Sequence, residues 1–256
     1  MQVNGIILAG GAVDERLRAR TEVNDEALIP IGQHIMVEYV VGAMKNSNFV
    51  KKIALVGPVE QLKARVREDS NIVLVPGGET VAGSVVNGLA VLPPSEFVLV
   101  ASGDIPLINT AAVKWFIEAC MEAGEADFYY PIVERSLSES KFPGAHRTYI
   151  NFVEGSFTGG NVFLMRPEIV ESRVHLADEL ISLRKDPIGL CKTIGPGFIL
   201  KFLLRRLTIQ EAEEKFSQLL GFKGVAVKCI YPEIGMDVDK PSDLDLVEQV
   251  LLGSVT

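Results

Sequence analysis

The sequence predicts an α/β protein, a doubly wound and mostly parallel sheet carrying a helical insertion. Three observations predict it. Short apolar runs recur at 3–8, 53–56, 72–75 and 97–101, each the length of a buried strand and too short for a helix. Stretches with helical spacing stand between them, and strand–helix–strand alternation at this spacing marks a parallel sheet. Finally, 256 residues with 48% hydrophobic content suffice for one large α/β domain. We read 1–256 as a single domain with an insertion at 167–222.

The first strand, 3–8, runs straight into Ala9-Gly10-Gly11. A strand ending in small residues brings backbone N–H groups close to phosphates. The pattern is neither G-x-G-x-x-G nor a P-loop, because no Gly-Lys-Ser/Thr follows. The polar stretch 14–25 carries Arg16, Arg18 and Arg20, each either a solvated loop residue or a group that reaches an anion. Ala27-Leu28-Ile29-Pro30-Ile31-Gly32 is a short extended piece broken by proline. Residues 34–44 have helical spacing with His34 at the start, and a helix at 59–67 separates the strands 53–56 and 72–75.

After the third strand comes Pro76-Gly77-Gly78-Glu79-Thr80. Its glycines, with the Thr80 and Ser84 hydroxyls, suit close approach of a flat ligand. Thr80 equally suits a helix cap, and the glycines a turn. Gly83 and Gly88 fall inside the next helix, where each costs about 1 kcal/mol against Ala. Something, a packing partner or a ligand, is expected against them.

The fourth strand stops at Ser102-Gly103-Asp104-Ile105-Pro106-Leu107. Asp104 thus falls just past the carboxyl end of a central strand, where open α/β sheets bind ligands. A carboxylate there suits a hard cation that bridges to phosphates, or else a cap for the helix starting near Asn109. A helix at 111–123 and a strand at 127–133 follow. The polar stretch 134–157, with Lys141, His146, Arg147 and Tyr149, has the composition of a lid or hairpin. Thr158-Gly159-Gly160-Asn161 opens a strand that runs to Leu164, its glycines marking close approach.

The stretch 167–220 is helix-like, with breaks at Pro187 and Gly195-Pro196-Gly197, and reads as the inserted subdomain. Leu200, Phe202, Leu203, Leu204 and Leu207 pack within it, or cover the site or a partner chain. Alternation resumes with a strand at 225–230, the segment Gly235-Met236-Asp237-Val238-Asp239-Lys240-Pro241, and a closing helix capped by Ser242.

Lys and Arg number 25 against 33 Asp and Glu, a net charge of −8. No basic stripe is present, which argues against nucleic-acid binding. A phosphate ligand would then be held by local donors and a metal. Cys120, Cys191 and Cys229 lie far apart in apolar neighbourhoods and read as buried packing residues. Met1-Gln2-Val3-Asn4 lacks a charged n-region, and the apolar run 198–204 is too short to span a bilayer. A cytoplasmic protein without a membrane span is expected, with homo-oligomerisation left open.

Four motifs in order carry a family resemblance: Ile7-Leu8-Ala9-Gly10-Gly11; Ala27-Leu28-Ile29-Pro30-Ile31; Ser102-Gly103-Asp104-Ile105-Pro106-Leu107; and Met236-Asp237-Val238-Asp239-Lys240-Pro241-Ser242-Asp243-Leu244. The chain resembles the nucleotidyltransferases of the molybdenum-cofactor type, and more broadly the sugar-phosphate and alditol-phosphate nucleotidyltransferases. The likeness spans nearly everything outside 167–222. The segment from Gly77 to Leu89 resembles the base-reading segment of methylerythritol-phosphate cytidylyltransferases.

The resemblance implies a Rossmann-like nucleotide-diphospho-sugar transferase fold. It also implies Mg²⁺-dependent transfer of a nucleoside monophosphate from an NTP to a small phosphorylated acceptor, releasing pyrophosphate. On that resemblance Leu8, Ala9, Gly10, Gly11, Gly77, Gly78, Thr80 and Ser84 bind the nucleotide. Asp104, Asp237 and Asp239 hold the metal, and Arg16 and Asp104 are catalytic. Lys141, Arg147, Thr158, Gly159, Gly160 and Asn161 form the lid and acceptor side.

Departures from the family pattern accompany the likeness. Glu15, followed by Arg16, stands where the family has a loop Arg, Glu26 where it has a phosphate-binding Lys, and Val81 and Val86 where the cytidylyltransferase segment is basic. A carboxylate in place of a cation beside a triphosphate costs on the order of several kcal/mol of transition-state stabilisation unless compensated. Either Arg16, Arg18, Arg20 or a lid residue supplies the charge, or activity is altered. Two other readings stand beside the first: a glycosyltransferase of the same fold using a sugar nucleotide, and a nucleotide-binding protein without catalysis.

Overall fold

The structure, a computed structural model, describes residues 1–66, 68–170 and 194–253. Its centre is a nine-stranded sheet. On one side, β1 (Val3–Leu8) lies between β4 (Val50–Gly57) and β6 (Val98–Ser102), with β5 (Ile72–Pro76) outside β4, all four parallel. Beyond β6 comes β10 (Val162–Met165), antiparallel to β6 and to β7 (Phe128–Glu134). The far edge of β7 takes β11 (Gly224–Cys229) in parallel. β9 (Gly155–Gly159) also pairs with β7 and forms a hairpin with β8 (Ile150–Phe152). A separate small ribbon joins β2 (Pro30–Ile31) to β3 (His34–Ile35).

Continuous apolar runs are strands here because both faces of the sheet are covered. Ile7, Leu99 and Ala101 point to the side of α1 (Met36–Lys45) and α4 (Thr110–Glu122). Ile6, Val98 and Val100 point to the other side, where Val85 of α3 (Val81–Val91) packs. The expected doubly wound, mostly parallel fold is therefore present. The order of strands reverses between β1 and β6, whose carboxyl ends lie side by side at Leu8 and Ser102. A crevice at that edge is what such a switch point creates.

Several elements differ in detail from the sequence reading. The helix expected at 59–67 is only α2 (Val59–Lys63), after which the chain tightens into a turn, with Arg65 donating to the Leu62 carbonyl at 3.0 Å. The strand expected from Thr158 to Leu164 is split at Gly160-Asn161 into β9 and β10, which follow one another along the same edge of β7. The polar stretch 134–157 contains a helix, α5 (Arg135–Lys141), before the hairpin. The closing helix, α8 (Pro241–Leu252), starts before Ser242, with Lys240 at the N-cap position making no side-chain cap bond. Pro241 already has helical φ and needs no N–H partner at the first position.

Within 167–222 the described helices are α6 (Pro196–Leu203) and α7 (Ile209–Leu220). Gly195, at φ +100°, makes the break before Pro196, a conformation that L side chains rarely adopt. Leu200, Phe202, Leu203 and Leu204 are exposed among the described residues, whereas Leu207 is buried. Cys120 and Cys229 are buried free thiols as expected, and burial pushes Cys229 up to about 12. Cys191 and the break at Pro187 lie outside the described residues. Among the described residues no helix is long and apolar enough to cross a membrane.

Candidate active site

Three chain segments meet at the carboxyl edge of β1 and β6. The first is the loop after β1. Ala9 donates to the Val56 carbonyl at 2.7 Å, and Gly103 donates to Leu8 at 2.8 Å, which ties the ends of β4, β1 and β6 together. A Cβ on Gly103 would sit 3.0 Å from both Ala27 Cβ and the Leu8 carbonyl oxygen, so a side chain there would push these neighbours apart. Gly10 and Gly11 follow, both exposed at the crevice.

The second segment is the turn after β6. Asn109 caps α4 by accepting from the Ala112 N–H at 3.0 Å, which leaves Asp104 without that duty. Asp104 instead faces the crevice and accepts from the Ser102 hydroxyl. The third is Met236-Asp237-Val238-Asp239. Met236 and Val238 are fully buried in an apolar cluster with Val13, Leu17, Ile29, Leu107 and Leu244. Extended backbone alternates its side chains, so the two aspartates are turned outward together. Val238 donates to the Asp104 carbonyl at 3.1 Å, joining the second and third segments.

A carboxylate oxygen from each of Glu26, Asp104 and Asp239 lies within 4.8 Å of the other two. Glu26, which stands where the family has a lysine, lies beside the aspartates, a placement that the sequence pattern does not predict. Its backbone donates to the Gly11 carbonyl at 2.8 Å, and its carboxylate accepts from the Asp14 N–H at 3.3 Å. It therefore lies in the mouth of the glycine loop. Burial, then the Asp104 charge, push the Glu26 carboxyl up to about 7. Burial chiefly, with Asp237 and Asp239 adding repulsion against the Ser102 hydrogen bond, pushes Asp104 up to about 6. Burial and Asp237 raise Asp239 as well. Three hard oxygen donors whose charges oppose one another form a donor set that a small divalent cation fits.

The basic residues are distributed around this cluster. Arg16 is exposed, gripped by Asp14 through Nε at 2.8 Å and Nη2 at 2.9 Å, and it feels the fields of Asp239 and Asp243. That contact holds Asp14 down to about 2. Arg20 turns away to Asp245 and Glu248 on α8. Lys141 is paired at 2.5 Å with the buried carboxylate of Glu233. Arg147 is buried against Asp237 and Asp243.

The base-reading candidates form their own loop beside β5. Thr80 caps α3 by accepting from Gly83 at 2.9 Å, and the Ser84 hydroxyl accepts from Gly78 at 3.0 Å. A Cβ on Gly78 would stand 2.5 Å from the Gly83 carbonyl carbon, so the turn folds onto its own helix. Both helical glycines have packing partners: Gly88 abuts Ile6 of β1, and Gly83 abuts Thr80.

The acceptor candidates divide. Asn161 bridges the crevice wall, accepting from the Ser102 N–H at 2.9 Å and donating to Ile234 at 2.9 Å. Thr158 is buried, and what approaches Gly159 and Gly160 is the Tyr130 ring and the Ile234 side chain. Packing thus accounts for those two glycines.

The model of the MobA-like NTP transferase domain matches residues 5–179 of the chain. A hypothetical transferase from Thermus thermophilus is 33% identical, with a TM-score of 0.83 over 95% of this chain and 100% of that one. Two further structures share the fold at low identity. The 4-diphosphocytidyl-2C-methyl-D-erythritol synthase of Anaerococcus prevotii is 15% identical, covers 98% of each chain and has a TM-score of 0.57. A CMP:2-keto-3-deoxy-manno-octonic acid synthetase, solved with CTP, is 12% identical over 100% of each chain, with a TM-score of 0.64. No curated protein matches the sequence. On the strength of the match over residues 5–179, this chain belongs to the MobA-like NTP transferase family.

Proposed function

We propose that the protein is an Mg²⁺-dependent nucleotidyltransferase that moves a nucleoside monophosphate from an NTP to a small phosphorylated acceptor. The observation that carries this reading is the convergence of Glu26, Asp104 and Asp239 at the mouth of the Gly10-Gly11 loop. Asp104 and Asp239, joined by Glu26 and flanked by Asp237, would hold the cation. When bound, it would neutralise phosphate charge in the crevice.

In this reading the N–H groups of Gly10 and Gly11, which follow the Ala9–Val56 hydrogen bond, receive the phosphates. The loop from Gly77 to Ser84 receives the base, its rigidity set by the two hydroxyl contacts. An acceptor phosphate oxygen then forms a bond to the α-phosphorus as the bond to the β-bridging oxygen breaks, and pyrophosphate leaves. Positioning and charge neutralisation carry most of the rate in such transfers. Arg16 supplies the cation at the open side, because Asp14 fixes its guanidinium and leaves one face exposed. The acceptor lies between Asn161 and the Lys141 end of α5. The reading keeps 1–256 as one domain with the 167–222 insertion shaping the acceptor side, and places the enzyme in the cytoplasm, where NTPs are made.

The test is incubation with the four NTPs, Mg²⁺ and a panel of small phosphomonoesters, read by pyrophosphate release. Release with one NTP–acceptor pair is expected. Release of a nucleoside diphosphate from a sugar nucleotide, with no pyrophosphate from any NTP, would replace this reading by the glycosyltransferase one.

A further inference from the structure

We infer that Arg147 is a positioning residue, a buried guanidinium that locks the segment 236–243 so that Asp239 faces Asp104 and Glu26. The inference rests on the cation site proposed above. Only 6% of the Arg147 side chain is exposed, and Nη1 stands 3.2 Å from Asp237 Oδ1 and 3.6 Å from Asp243 Oδ2. Nη2 donates to the Asp237 carbonyl at 2.7 Å. The chain is stitched a second time next door, where Lys240 Nζ donates to the His146 carbonyl at 3.3 Å. Asp243, itself only 1% exposed on its side chain, accepts from the Asp239 N–H at 3.3 Å. One guanidinium therefore contacts Asp237 and Asp243, one on each side of Asp239, and holds the Asp239 backbone through Asp243.

The geometry also explains why a free lid cation is the wrong description of this residue. Both Nη groups are committed, and Nε is buried with no hydrogen-bond partner among the described residues. Leaving a buried donor unpaired is costly, and the forked Nη groups reach three acceptors at that cost. A fork is needed, because one ammonium cannot meet two carboxylates and a carbonyl in these directions. Without it, Asp237, Asp239 and Asp243 would repel one another within seven residues of chain, and the loop would open.

Mn²⁺ binding to the full chain, followed by isothermal titration alongside thermal melts, tests this. Arg147→Met removes a positive charge, which by Coulomb attraction alone would tighten cation binding. The inference expects the opposite, a Kd about ten-fold weaker, as when a group that orients a metal ligand is lost. Arg147→Lys keeps the charge and the burial, and it too is expected to bind Mn²⁺ more weakly than wild type. This second variant carries the test if Arg147→Met does not fold. Wild-type affinity in Arg147→Lys, or a lowered melting temperature with unchanged Kd, overturns the inference alone. Wild-type protein that binds Mn²⁺ no better than Asp104→Asn overturns the cation reading, and the inference with it.

Discussion

A carboxyl group that titrates near neutrality makes the metal-free crevice sensitive to pH. Glu26 is raised from its ordinary 4.5 to about 7, so between those values the folded protein holds a proton that the unfolded chain has released. Its contribution to stability is present in acid and is lost as pH rises through about 7. Glu26→Gln removes that dependence. The melting temperature of the metal-free wild type should fall relative to Glu26→Gln between about pH 5 and 8, and parallel curves would contradict the assignment. Asp104→Ala should abolish Mg²⁺-dependent nucleotide binding while the fold is kept, which calorimetry and circular dichroism would check together. Asp104 was legible because a strand ends there, and Asp239 because it belongs to a recognisable motif. The company of Glu26 was not, since the cluster is closed across residues 26, 104 and 239 and no local pattern encodes such a contact. The same holds for Arg147, whose partners lie about ninety residues away.

At the scale of elements, glycines report where the backbone has no room. Gly78→Ala would drive a Cβ into the backbone of α3 at 2.5 Å and should cost about 1–3 kcal/mol, with nucleotide affinity falling in step. Gly42, inside α1, has nothing within 4 Å of its Cβ position. Gly42→Ala should therefore stabilise the protein by about 0.5–1 kcal/mol. Thr80→Ala should cost about 1 kcal/mol through the lost cap. Urea denaturation of the three variants gives all the signs at once. Strands and main helices were readable because their apolar period is local. The break between β9 and β10 was hidden, since Gly160 is forced by Ile234 and Pro131 packed against it from distant segments. The earlier start of α8 was hidden for a smaller reason: Ser242 is a good cap residue, but Pro241 before it already starts the turn.

At the scale of the whole molecule, the sheet and its switch point follow from the order of apolar runs, and the crevice follows from the switch point. Composition adds that an acidic chain must recruit positive charge to hold a triphosphate, which the Glu26–Asp104–Asp239 cluster makes specific. The central claim is then that a cation and an NTP bind together at this edge. The most direct measurement is a thermal-shift series with ATP, CTP, GTP and UTP, with and without Mg²⁺, on wild type and Asp104→Asn. A ligand at a hundred times its Kd stabilises by about 2.7 kcal/mol, so a preferred base stands out. The account predicts a shift that requires Mg²⁺, is larger for one base, and vanishes in Asp104→Asn. No shift with any triphosphate, or an equal shift without Mg²⁺, would contradict it.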